Sequence, residues 1–129
     1  MIVLDTSVLV GAMSGEKRAA PALRRAIERG EWLLAPTLVL YEWLRGPRRT
    51  QEVAAFEALF SLEWLLPFTP AEAAVAARLY NNVRRPRGRE IDLAIAAHAI
   101  THDSVLWTLN PADFADLPGV RLYPTVHSR

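Results

Sequence analysis

Asp5, Glu42, Asp92 and Asp113 are the residues of this chain whose settings could turn a carboxylate to chemistry. Asp5 directly follows the apolar run "MIVL"; its local alternative is the N-cap of the next helix. Thr6 and Ser7 add hydroxyls that orient Asp5 or serve the same cap. Glu42 lies inside "LVLYEWLRG", where burying a carboxylate costs free energy unless something compensates it. Its alternative is a surface pair with Arg45, worth roughly 0.2–0.5 kcal/mol. Asp92 opens "DLAIAAHA", where an acid gains ~0.3–1 kcal/mol from the positive helix end. Small residues at Ala94, Ala96, Ala97 and Ala99 would also let that helix lie tightly on a sheet and carry Asp92 inwards. Asp113 is explained locally as N3 of a short helix, with Asn110 as N-cap and Pro111 at N1.

Four carboxylates brought to one place would raise one another's pKa unless cations neutralise them. Oxygen-only ligands suit hard ions such as Mg²⁺ or Mn²⁺, which keep several waters and accept phosphate oxygens. Such an ion activates water and stabilises a leaving oxygen in phosphodiester cleavage. The sequence contains no P-loop, no GxGxxG and no Ser-His-Asp spacing. His98 and His102 stand i,i+4 on one helix, but the sequence offers no third soft ligand beside them, so packing is the expectation there.

The elements that must position these groups alternate in type. "MIVL" at 1–4 and "VLWTL" at 105–109 read as buried strands, "WLLA" at 32–35 as a third, and "VRLY" at 120–123 as a last short one. "LEWLLPF" at 62–68 is a further strand candidate, placed at an edge or end by Pro67. Helices are expected over 7–13, from about Lys17 to Gly30, over 36–46, across "QEVAAFEALF", over 70–85 and over 91–102. The start Thr69-Pro70-Ala71-Glu72 combines an N-cap hydroxyl, proline at N1 and glutamate at N3. Short apolar strands alternating with amphipathic helices predict an α/β fold, a short and mostly parallel sheet covered by helices. Sites in such sheets form outside the carboxyl ends of the strands, where Asp5 stands.

The chain has 129 residues, 51% of them hydrophobic and 22% charged, enough for one domain over 1–129 with a real core. No long apolar run suggests a membrane span, and the N-terminus lacks the pattern of a signal peptide. Cysteine is absent, which excludes disulfides and thiolate metal sites and fits a cytoplasmic location. Net charge is only +1, so no global field announces a nucleic-acid binder. Arginine dominates the basic residues and clusters at Arg45, Arg48 and Arg49 and at Arg84, Arg85, Arg87 and Arg89. Guanidinium forks match phosphate oxygens; the alternative is solvated loop charge.

Assembled in order, these segments resemble the PIN-domain family, and specifically VapC-type toxin ribonucleases. "MIVLDTS" resembles the family's opening strand and first acid, here Asp5 with Ser7 as supporting hydroxyl. "PTLVLYEWLRG" resembles the helix bearing the second acid, Glu42, and "RGREIDLAIAAHA" the segment whose third acid falls on Asp92. "LWTLNPADFADLPGVRLY" resembles the closing segment, with Thr108 and Asn110 as supporting residues and a final acid at Asp113. The resemblance implies a three-layer fold with helices on both faces of the sheet, and a Mg²⁺- or Mn²⁺-dependent endoribonuclease, commonly homodimeric. It also implies an antitoxin of the VapB type. Arg45, Arg48, Arg49, Arg85, Arg87 and Arg89 are then expected to meet RNA or the antitoxin's acidic tail. Two other readings stay open: a PIN-domain nuclease of RNA processing or DNA cleavage without an antitoxin, and a non-catalytic binding domain. A twofold homodimer is expected through the apolar residues Val53, Phe56, Leu59 and Phe60, with Val75, Leu79, Tyr80 and Trp64.

Overall fold

The computed structural model describes residues 1–124. Its centre is β1 (Ile2–Leu4), flanked by β2 (Leu33–Leu34) and β3 (Val105–Trp107) in the order β2-β1-β3, all parallel. Successive strand residues point to opposite faces. Ile2, Val3 and Leu4 are all at most 1% exposed, so both faces of β1 are covered. That is why this strand is apolar at every position and does not alternate.

Among the described residues six α-helices complete the α/β fold: α1 (Thr6–Met13), α2 (Ala20–Glu28), α3 (Thr37–Arg45), α4 (Thr50–Leu59), α5 (Pro70–Asn82) and α6 (Glu90–Thr101). The helix start read at Thr69 is present: Glu72 Oε1 accepts the Thr69 N–H at 2.9 Å, as a capping box requires. In α6 every residue from Leu93 to Ala99 is buried, and the alanines let it pack tightly on α5 and against β1 and β3.

Two strand expectations are corrected. Residues 62–68 form a 3₁₀ turn over Leu62–Trp64, and only Leu66 reaches the sheet layer, in a single parallel bridge to Pro36. Segment 120–123 likewise contributes one parallel bridge, Leu122 to Leu106, held by bonds of 2.8 and 2.7 Å. The dimer expectation also changes footing. Phe56, Phe60 and Leu79 are buried in the chain's own core, while Trp64 is 81% and Leu62 50% exposed. The apolar excess on α4 and α5 is therefore largely consumed within the chain.

Candidate active site at the carboxyl edge of the sheet

β1 and β3 are neighbours in register, Leu4 beside Trp107, so the residues that follow them emerge side by side. Asp5 donates its N–H to the Trp107 carbonyl at 2.9 Å, and Thr108 comes next on β3's side. Asp5 is the N-cap residue of α1 by position, yet its side chain makes no capping bond. Instead Oδ2 accepts both the Ser7 and the Thr108 hydroxyls at 2.8 Å. Ser7 Oγ in turn accepts the Leu109 N–H at 2.9 Å, and Thr108 Oγ1 accepts that of Asn110 at 3.0 Å. The carboxylate, only 5% exposed, is thus fixed by a lattice joining the first helical turn to the loop after β3. Gly11 permits the close approach of that loop: a Cβ there would lie 2.6 Å from Leu109 Cδ1.

Glu42 reaches the same edge from α3. Thr6 donates to its Oε1 at 2.6 Å and Arg45 to its Oε2 at 3.2 Å. The pair with Arg45 exists, but the side chain is only 18% exposed, so it is more than a solvated surface pair. Thr6 serves Glu42 and not Asp5, a division of labour between adjacent hydroxyls that their sequence did not reveal.

Asp92 stands in the first turn of α6. Burial pushes its carboxyl up to about 6, and the charges of Asp5, Glu42 and Asp113 add to the rise, while Arg89 opposes it. The four acids therefore share one electrostatic neighbourhood. Asp113 is its exposed member, in a 3₁₀ turn (Pro111–Asp113) preceded by Asn110, whose side chain makes no capping bond. A polar cleft runs outwards past Glu42, Arg45, Gly88, Glu90, Ile91 and Asp92.

Two acids were missed by sequence reasoning. Glu90, close to Asp92 in the chain, lines that cleft. Asp116 receives both prongs of the Arg89 fork, at 2.7 and 3.0 Å, and Arg89 also donates to the Asp113 carbonyl at 3.0 Å. This guanidinium holds the Asp116 carboxyl below its ordinary range and straps the loop carrying Asp113 to the start of α6. Arg48 lies over the Trp43 ring at 4.2 Å, and Arg49 pairs with Glu52 at 3.8 Å. Arg84, Arg85 and Arg87 make no ion pair with another described residue.

The donors at this edge are all oxygens, and the strain on Asp92 is the kind a dication relieves, so the residues fit a hard ion. They are not drawn into one tight ring. Among the described residues, the group of three or more ligating side chains whose ligand atoms lie within 4.8 Å of one another is Glu72, His98 and His102. The wider spacing of the acids suits Mg²⁺, which takes few protein ligands and keeps waters.

The family model of the PIN domain matches residues 2–120. Ribonuclease VapC19 of Mycobacterium tuberculosis is 38% identical over 124 residues, covering 94% of this chain and 98% of the relative. Ribonuclease VapC1 of Rickettsia felis is 31% identical over 138 residues, covering 99% and 98%. Among solved structures, DNA-bound VapBC from Salmonella typhimurium superposes with a TM-score of 0.79 at 20% identity over 95% of this chain and 96% of that one. VapBC2 from Rickettsia felis, bound to a fragment of its promoter, gives 0.74 at 21% identity over 98% and 100%. The chain belongs to the PIN-domain family, alongside the VapC ribonucleases.

Proposed function

We propose that this chain is a Mg²⁺- or Mn²⁺-dependent endoribonuclease, the toxin of a VapBC-type toxin–antitoxin pair. The observation that carries the reading is Asp92, whose carboxyl is pushed up to about 6 by burial and by three other carboxylates gathered from separate elements. A fold that only needed helix caps would not collect that much like charge at one strand edge. The curated relatives carry the name ribonuclease, and the structural neighbours are VapBC complexes, which supports the substrate class and a VapB-type partner.

In this reading Asp5, Glu42 and Asp92 hold the cation, with Asp113 at the rim. When bound, the ion supplies an activated water and charge for the leaving oxygen. The chain's own residues do the rest. Ser7 and Thr108 occupy Asp5 Oδ2 and so fix the direction of the other oxygen. Thr6 fixes Glu42 Oε1, and Oε2, beside Arg45, orients the attacking water. Asn110 completes the loop that carries Thr108. Arg84, Arg85 and Arg87 are open to RNA phosphates or to the acidic tail of the antitoxin, whereas Arg45, Arg48, Arg49 and Arg89 are already engaged and act at the margin. The active unit is one PIN domain in a homodimer, with the exposed Leu62 and Trp64 available to a second copy.

Incubating the antitoxin-free protein with total RNA and Mg²⁺, and mapping the new ends, tests the reading. Discrete cleavage sites present with wild type and absent with Asp5→Asn are expected. Identical patterns from both proteins would overturn it, and a clean monomer mass in light scattering, with activity retained, would remove the dimer.

A further inference from the structure

At the opposite end of α6 from Asp92, three side chains of different chemistry meet. His98 and His102, one helical turn apart on α6, face Glu72 from α5, and one ligand atom of each lies within 4.8 Å of the others. The imidazoles are nearly parallel, 15° apart with centroids 6.3 Å from each other, as i,i+4 neighbours on a helix stand. His98 is fully buried, yet neither of its ring nitrogens has a hydrogen-bond partner. An orphaned imidazole in a core costs free energy, and here one of its nitrogens lies within 4.8 Å of a carboxylate oxygen and of a second imidazole nitrogen. Phe68 stands edge-on to it at 5.9 Å and offers it no lone pair.

We propose that Glu72, His98 and His102 form a binding site for a borderline transition-metal dication of the Zn²⁺ class, which clips α5 to α6. Two nitrogens and one carboxylate oxygen match that class, and not the all-oxygen preference of Mg²⁺. The outer contacts of the ligand are in place. Glu72 accepts the Thr69 N–H and hydroxyl on Oε1, and the Thr101 hydroxyl on Oε2 at 2.5 Å. Three donors on a group with about four lone-pair sites leave one for an ion, and they fix its direction. His102, at the C-cap of α6, is partly exposed and gives the ion an entry path and room for a water as fourth ligand. Asp92 lies six residues from His98, about 9 Å along the helix, so this centre is separate from the acidic edge.

The test titrates the purified full chain with Co²⁺, whose visible d–d absorption is intense at a four- or five-coordinate site such as this one and weak at an octahedral all-oxygen one, and repeats the titration with Zn²⁺ in thermal melts. Wild type, His102→Ala, Glu72→Gln, His127→Ala and Asp92→Asn are compared; His127 lies outside the described residues and controls for a stray imidazole. The proposal expects one strongly absorbing Co²⁺ per chain and a Tm raised by about 5 °C with excess Zn²⁺. The strong band should vanish in His102→Ala and Glu72→Gln, each of which melts cooperatively without metal and keeps only the Tm rise that Zn²⁺ at the acidic edge gives; band and Tm rise should both persist in His127→Ala and Asp92→Asn. Absence of the band in wild type, its survival in His102→Ala, or its loss in Asp92→Asn or His127→Ala would overturn the site.

Discussion

At its two ends α6 meets carboxylates with opposite electrostatics, a half-buried one of its own and a buried one from α5. Near its start, Asp92 is pushed up to about 6 by burial and by Asp5, Glu42 and Asp113. Near its end, Glu72 of α5 faces the same helix, and although burial works to raise its pKa, the hydroxyls of Thr101 and Thr69 and the Thr69 N–H hold it down at about 2. The same functional group is left with unbalanced charge in one place and supplied with donors in the other. Donors that satisfy a carboxylate locally make a structural joint; Asp92, which accepts no side-chain hydrogen bond among the described residues and faces Asp5, Glu42 and Asp113, marks a site that waits for a cation. The first region therefore reads as chemistry and the second as a fastening.

Removing an acid from the crowded edge gives the largest expected effect. Asp92→Asn should cut RNA cleavage by more than about 100-fold, beyond what outer contacts of metal ligands usually cost. If the variant cleaves at the wild-type rate with limiting metal, the contrast between the two ends has no catalytic meaning. Next come the hydroxyls that aim the acids. Thr108→Val should cost about 10–100-fold in apparent Mg²⁺ affinity measured by cleavage, with Thr6→Val acting in the same way through Glu42. A changed maximal rate at unchanged metal dependence would instead point to loop geometry.

The opposite shifts also make opposite pH signatures in metal-free protein. Asp92 binds its proton more tightly when folded than its ordinary 3.8, so its contribution to stability falls as pH rises from about 4 to 6 and does not return above that. Relief of that shift is worth at most about 3 kcal/mol, and solvent screening at a partly open group leaves about 1–2 kcal/mol. Asp92→Asn should therefore be the more stable protein in urea melts at pH 7, with no advantage below pH 4. Glu72 behaves in reverse: its contribution is present above about 4.5 and disappears as pH falls towards 2. Equal stability of wild type and Asp92→Asn at pH 7 would remove the claim of unrelieved repulsion.

The smallest effect concerns the arginines. Neutralising Arg84, Arg85 and Arg87 together should lower the salt dependence of single-stranded RNA binding by up to ~0.7 in log–log slope for each phosphate they neutralise in wild type. Neutralising Arg89 should instead act on stability, through the released Asp116 and the loop after β3. An unchanged slope in the triple variant would leave those residues as solvated charge.

Much of this architecture was legible in the chain. β1 could be read because burial on both faces demands an unbroken apolar run, and α5 because its start is encoded within four residues, Thr69 to Glu72. The apolar segment 62–68 misled because composition is shared by strands and buried turns; Leu65 packs into the core while Trp64, beside it, points to solvent. At the site, Asp5, Glu42 and Asp92 stood out by their placement after a strand, within an apolar helix and at the head of an alanine-rich one. Their partners did not. Which hydroxyl serves which acid, that Arg89 grips Asp116, and that Glu72 faces His98 all depend on long-range packing, which no local pattern records.

Binding of Mn²⁺, followed by electron paramagnetic resonance on the antitoxin-free protein, tests the contrast between the two ends most directly. Wild type and His102→Ala should bind the ion alike, and Asp5→Asn and Asp92→Asn should bind it at least about 10-fold more weakly. Undiminished binding in Asp92→Asn, or its disappearance in His102→Ala, would contradict the assignment of the acidic edge as the catalytic metal site.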